Sequence, residues 1–193
     1  MDSTVLFKKQ NKLQKEAAEI LGKLKLFKRL SATGKPIVVG SSAVGLMVRR
    51  DIDVTVVCAT LDIKKVIKIS NDLMIQKGVG EVVFRNDTGD WNTDTKYPDG
   101  LYIGIKSKFE KGKIWNIDIW FIDEPERQPD LKHLKFIFKK LNTENRAIIL
   151  NIKTEWDKKP KHKKSATSYD IYDSVLNHNI KTTNEFKNWL KLK

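Results

Sequence analysis

Apolar residues early in the chain recur at spacings of four and three: Leu13, Ala17, Ile20, Leu24 and Phe27. At 3.6 residues per turn these stack on one face, with lysines on the other, so the spacing predicts one long amphipathic helix. The stretch 31–36 (SATGKP) holds Gly34 and Pro36, both helix breakers, and is expected to end it. The period then changes. Ile37-Val-Val39 is a short apolar run leading into the small residues Gly40-Ser41-Ser42, and 51–58 (DIDVTVVC) is rich in β-branched residues; both predict strands. Helical spacing returns over 61–77, with Ile63, Val66, Ile67, Leu73 and Met74 as the apolar positions and Gly78 as the stop. A strand is expected over 81–85 and a polar loop over 86–100. Two more strands, 101–106 and 114–122, are joined by a hairpin at Glu110-Lys-Gly-Lys113.

Beyond Pro125 no segment reads as a strand. Residues 131–141 and 145–156 have helical spacing, and a basic connector follows at 158–164 (KKPKHKK). Thr167 with Asp170, and Thr182 with Glu185, have the spacing of capping boxes that start two further helices. The fold class expected is α/β (α+β): a mixed β-sheet flanked by helices over 1–125, and a helical C-terminal region over 126–193.

Composition narrows the setting more than the activity. The net charge of +13, from 37 basic and 24 acidic residues, implies attraction to polyanions such as triphosphates or RNA without choosing among them. No apolar run reaches the roughly 20 residues of a membrane helix, and the charged first twenty residues do not read as a signal peptide. The single cysteine, Cys58, excludes an internal disulfide framework. A cytoplasmic location without membrane association is the expectation.

The strand over 51–58 carries the first candidate chemistry. Side chains alternate faces along a strand, so Ile52, Val54 and Val56 share one side while Asp51 and Asp53 share the other. Two neighbouring carboxylates repel unless a cation lies between them, and Mg²⁺ is commonly held by carboxylates together with substrate phosphates. In 114–122, Trp115, Ile117, Ile119 and Phe121 form an apolar face, and Asn116, Asp118 and Trp120 form the other. If the two strands are neighbours in one sheet, three carboxylates converge. Upstream, Gly40-Ser41-Ser42 follows a strand and precedes an expected helix start, offering backbone N–H groups and hydroxyls to phosphate oxygens.

In that order, Gly40-Ser41, Asp51-Ile-Asp53 and Asp118, the sequence resembles the DNA polymerase beta-like nucleotidyltransferase superfamily over residues 36 to 122. Arg50 stands where many members have Ser. The resemblance implies transfer of a nucleoside monophosphate from an NTP to an acceptor hydroxyl. It implies Asp51, Asp53 and Asp118 as catalytic and metal-binding residues for two Mg²⁺ or Mn²⁺ ions. It also implies Gly40, Ser41, Ser42, Arg49 and Arg50 as the nucleotide-binding set, and Asp118 as general base. A small hydroxylated acceptor is preferred to RNA, because no RNA-binding module is recognisable and the loop with Asp87, Asp90, Asp94 and Asp99 would suit a cationic acceptor. The alternatives are RNA or a protein side chain as acceptor, or a non-catalytic nucleotide- or partner-binding domain.

Other motifs read as structural. The acidic loop lacks EF-hand spacing, and Gly34-Lys35 lacks the upstream Gly and the following Ser or Thr of a P-loop. His133, His162 and His178 have no metal-ligand spacing and read as surface residues. Tyr169, Tyr172, Phe186 and Trp189 read as core aromatics, Cys58 as a core residue, and the 158–164 connector as a solvated linker.

Overall fold

The computed structural model describes residues 2–158 and 165–193, so most of the basic connector and His162 lie outside the described residues. Helix α1 (Ser3–Lys23) begins where the Asp2 carboxylate accepts the Thr4 N–H, and buries Leu6, Gln10, Leu13, Ala17 and Ile20. The expected single helix breaks at Lys25, which is left-handed at φ 47°, and restarts as α2 (Leu26–Leu30). The break rotates the apolar face: Leu26 and Leu30 are fully buried, whereas Phe27 is 38% exposed. A left-handed residue costs roughly 1–2 kcal/mol. Burying two leucines, at about 1.5–3 kcal/mol each, more than offsets it.

Five strands form one mixed sheet in the order β1-β2-β5-β4-β3. They are β1 (Gly34–Val39), β2 (Asp51–Cys58), β3 (Val79–Asp87), β4 (Gly100–Glu110) and β5 (Lys113–Ile122). Gly34 and Pro36, expected in a connector, both lie in β1. An edge strand tolerates proline because one side of its backbone needs no ladder partner. Only β2 and β5 pair in parallel; the remaining neighbours are antiparallel, with the expected hairpin between β4 and β5.

Between strands lie α3 (Gly40–Val44) and α4 (Ile63–Met74). The α4 helix buries Val66, Ile69 and Leu73, while Ile63, Ile67 and Met74 stay exposed. After the sheet come α5 (Pro129–Lys140), α6 (Thr143–Asp157), α7 (Ser168–His178) and α8 (Thr183–Leu192). Thr167 and Asp170 cap α7 reciprocally. Thr182 caps α8, with Glu185 accepting from Lys181 N–H.

Two apolar clusters result. One sets Ile52, Val54, Val56, Ile103, Ile117 and Phe121 of the sheet against α1, α2 and α4. The other joins α5 to α8 with Leu6, Val44 and Leu46. The sheet face turned away from the first cluster is left for polar residues, and it carries Asp51, Asp53 and Asp118. Among the described residues no helix is long and apolar enough to cross a membrane.

Candidate active site

The parallel pairing of β2 with β5 sets Asp53 opposite Asp118 and Asp51 opposite Asn116. Alternation then puts all three carboxylates on one face of the sheet. The Asp53 carboxyl is raised to about 7, first because burial strips its hydration, then because Asp51, Asp118 and Asp130 repel its charge; Lys153 acts in the opposite sense. Burial also raises Asp118, against the hydrogen bond it accepts from the Tyr102 hydroxyl on β4. Asp51 pairs with Arg49, whose Nε lies 3.0 Å from Oδ2. The three share a face of the sheet. Among the described residues no group of three or more His, Cys, Asp or Glu side chains is placed to hold a metal ion.

Gly40 opens α3 with φ 62°, a conformation that disfavours any side chain. A Cβ there would come within 2.2 Å of Asp53 Oδ2. Gly40→Ala is therefore expected to lower stability by about 1–3 kcal/mol through backbone strain and displacement of the Asp53 carboxyl. Thermal melting checks this, and an unchanged melting temperature would mean the turn relaxes freely. The two serines part company. Ser41 lines a cavity beside Asp53. Ser42 is buried, and its hydroxyl donates to Val39 O at 3.2 Å, so the expected phosphate contact from this side chain is not available. The Gln14 amide of α1 donates to Ser42 O.

The cavity measures about 560 Å³ and lies between the carboxylate face and α5, α6 and α7. Gly40, Ser41, Arg49, Asp51 and Asp53 line one side, and His133, Lys153, Tyr169 and Tyr172 the other. Arg50 and Asp118 are not among its lining residues: Arg50 Nε pairs with Glu16 of α1 at 3.3 Å, and the Asp118 carboxylate accepts from the Tyr102 hydroxyl on the neighbouring strand. Arg49 remains, also 3.8 Å from Asp157.

Lys153 belongs to no motif in the sequence, yet it is a central polar group of the cavity. It is buried, and its Nζ donates to Leu46 O and to the Tyr172 hydroxyl, each at 2.8 Å. Burial and the nearby Arg49 charge push its ammonium down to about 7, against the pull of Asp53, Asp51 and Asp157. His133, expected at the surface, is half-buried and stacks on Tyr169 with ring centroids 3.6 Å apart and planes 15° from parallel. Burial holds its imidazole below the usual range, opposed by Asp130 and Asp173. Tyr169 and Tyr172 thus line the cavity, whereas Phe186 is fully buried against Trp156. His178 lies half-exposed beside Trp189, and Cys58 is buried.

No protein-family model and no curated protein matches the chain. Solved structures do. The RNA terminal uridylyl transferase Cid1 superposes over 92% of this chain and 52% of its own, with a TM-score of 0.65 and 19% identity. A cytoplasmic RNA terminal U-transferase structure matches over 90% of this chain and 53% of its own, with a TM-score of 0.59 and 20% identity. CdnC of E. coli MS115-1, solved with ATP, is less similar, at a TM-score of 0.48 and 14% identity over 94% of this chain and 64% of its own. The chain spans about half the length of the Cid1 structures it matches. At these identities the likeness is one of fold: the chain shares the fold of the Cid1 structures over most of its length.

Proposed function

We propose that the chain transfers a nucleoside monophosphate from an NTP to an acceptor hydroxyl. The observation that carries this reading is the register of Asp53 against Asp118 on parallel neighbours, next to Gly40-Ser41 and above a cavity that holds Lys153. A cation suits this donor set, because the chain places carboxylates on one face where burial, then repulsion from Asp51, Asp118 and Asp130, raises the Asp53 carboxyl to about 7. Asp51, Asp53 and Asp118 would hold Mg²⁺ or Mn²⁺, two ions in all, which supply charge neutralisation at the phosphates and acidify the acceptor hydroxyl.

The protein's own groups do the rest. Ser41 and the backbone beside it hold phosphate oxygens, and the Lys153 ammonium offsets their charge from the other wall. Arg49 exchanges its pairing with Asp51 for the phosphates, which frees that carboxylate. Asp118 takes the proton of the acceptor hydroxyl, and the Tyr102 hydroxyl, already bonded to it, fixes its orientation. The hydroxyl oxygen attacks the α-phosphorus and pyrophosphate leaves. A small hydroxylated acceptor is the preferred reading; the fold likeness to Cid1, described as an RNA terminal uridylyl transferase, is the observation that favours RNA instead.

Melting the protein with each NTP, with and without Mg²⁺ or Mn²⁺, tests the donor site. At a hundredfold excess over the dissociation constant a ligand stabilises by about 2.7 kcal/mol, which for a chain of this size is a rise of roughly 5–10 °C. The expected result is a metal-dependent rise with at least one NTP that Ser41→Ala diminishes. No rise with any NTP and either metal overturns the proposal.

A further inference from the structure

The two edges of the sheet are built differently. β1 carries Lys35 and Pro36, and lysine and proline on an edge strand discourage further pairing. β3 has neither. Among the described residues its outer side pairs with no strand, and from Glu81 to Asp87 its register with β4 runs without a bulge. The core is open here as well. Val82 and Phe84 pack against the first apolar cluster yet are only partly buried. Val83 lies opposite Gly104, which lies opposite Asp118, so it shares the carboxylate face; it is 46% exposed.

The helix beside this edge repeats the pattern. β2 and β3 run parallel, and a connection between parallel strands of one sheet is right-handed in nearly all proteins. With that hand, Ile63, Ile67 and Met74 of α4, a row at spacings of four and seven, turn past β3 instead of over the sheet. All three are exposed.

The chemistry of β3 is complementary to its own reverse. Set antiparallel to a second copy with Val83 opposite Val83, the strand places Glu81 opposite Arg85 on one face and Val82 opposite Phe84 on the other, each twice. The neighbouring registers lose this match. With Val82 opposite itself, Glu81 meets Val83 and Arg85 meets Val79; with Phe84 opposite itself, Glu81 meets Asp87. Within one chain Glu81 pairs with Lys106 at 2.8 Å and Arg85 with Asp87 at 3.0 Å, surface contacts that exchange at little cost.

We infer that the β3 edge is the interface of a symmetric homodimer, in which two copies join their sheets through antiparallel β3 strands about a two-fold axis at Val83. The axis stands perpendicular to the sheet, so the two sheets become one and both carboxylate faces lie on the same side. Strands lie about 4.8 Å apart, so a helix seated over β3 and β4 meets its counterpart across the axis at roughly 10 Å, the distance of packed helices. The rows of Ile63, Ile67 and Met74 close on each other there. They add apolar area to a strand pairing that alone falls short of the roughly 1,200 Å² of a stable interface.

The test is sedimentation equilibrium of the full chain, without nucleotide or metal. The expected result is a dimer whose population rises with concentration. Glu81→Lys and Arg85→Glu, both at exposed positions, each set like charges opposite one another across the axis, and each should weaken self-association by about tenfold or more. Mixed in equal amounts, the two variants should regain the dimer, because each supplies the charge that the other now faces. A second measurement reads the register. Val83→Cys should form a disulfide-linked dimer under mild oxidation, since opposed residues of antiparallel strands have Cα atoms about 4.5–5.5 Å apart, within disulfide reach. The parent chain, whose one cysteine, Cys58, is buried, should not. A dimer that persists in both charge variants, a mixture that stays monomeric, or a Val83→Cys chain that does not cross-link overturns the assignment. So does a single-chain mass at every concentration up to about 0.5 mM, which would leave the edge to a strand of another protein.

Discussion

Asp53→Asn is expected to melt higher than the parent protein above pH 7 and to lose nucleotide transfer. The folded chain titrates Asp53 near 7, whereas the ordinary value is 3.8. Between those values the folded protein keeps a proton that the unfolded chain has released. Its stabilising effect is therefore complete below the unfolded value and lost as pH rises through 7. Above that, folding forces a charge in beside Asp51 and Asp118, and an amide of the same shape avoids it. The full shift corresponds to roughly 4 kcal/mol; with relaxation and the asparagine's own hydrogen-bonding needs, a gain of about 1–3 kcal/mol is expected. The curves of parent and variant should meet near pH 4. Melting at pH 4, 6 and 8.5 reads this directly, and superimposed curves throughout would mean that Asp53 is solvated. Activity should fall by more than the roughly 10–100-fold typical of outer-shell changes around a metal, because Asp53 is a proposed ligand.

Lys153→Met carries the second large effect. The ammonium titrates near 7 in the folded protein and near 10.5 when unperturbed, so the folded chain gives up a proton that the unfolded chain keeps. Its contribution is full above 10.5 and is lost as pH falls through 7. The methionine strands Leu46 O and the Tyr172 hydroxyl at every pH, at a cost of about 1–3 kcal/mol. Below pH 7 it also removes a buried charge. The variant should therefore trail the parent clearly at pH 9 and approach it at pH 6. Nucleotide binding should fall by roughly 10–100-fold, the scale of a lost charge-assisted hydrogen bond of about 1.5–3 kcal/mol. Phosphates beside Lys153 would restore its charge, so NTP binding at pH 8 should take up protons in the parent and not in the variant. Calorimetry in two buffers of different ionisation enthalpy measures that uptake, and equal uptake in both proteins would place the phosphates elsewhere.

The alternation in DIDVTVVC and in the 114–122 strand is enough to put three carboxylates on one side of a sheet, because strand geometry leaves no other choice. The order of the Gly-Ser turn and the acids points to the fold through the family resemblance it carries. What stays hidden is tertiary. Nothing in LFKRL or the residues before it marks Lys25 as left-handed; the gain from burying Leu26 and Leu30 decides it. Ser41 and Ser42 are alike in sequence, and only the turn of α3 sends one hydroxyl to the cavity and the other back to Val39. Arg50 is equivalent to Arg49 in sequence, and Glu16, 34 residues upstream, sets it apart. Lys153 sits in a run that reads as an ordinary polar helix face, and its partner Tyr172 comes from another helix. His133 and Tyr169 are likewise brought together by packing alone.

The turn that carries Ser41 is gripped from α6: Arg146 donates to Gly45 O and Val44 O, and Lys153 to Leu46 O, across 101, 102 and 107 residues of sequence. A ribosome working at roughly 5–20 residues per second needs about 5–20 s to cover that distance. The last strand of the sheet ends at Ile122 and Arg146 follows about 24 residues later, so for the last roughly 1–5 s of that interval the sheet can pair while the loop after α3 waits with open carbonyls. The nascent chain thus completes its scaffold before the element that would grip a triphosphate, and a fragment halted between β5 and α6 should be folded in its sheet and blind to nucleotide.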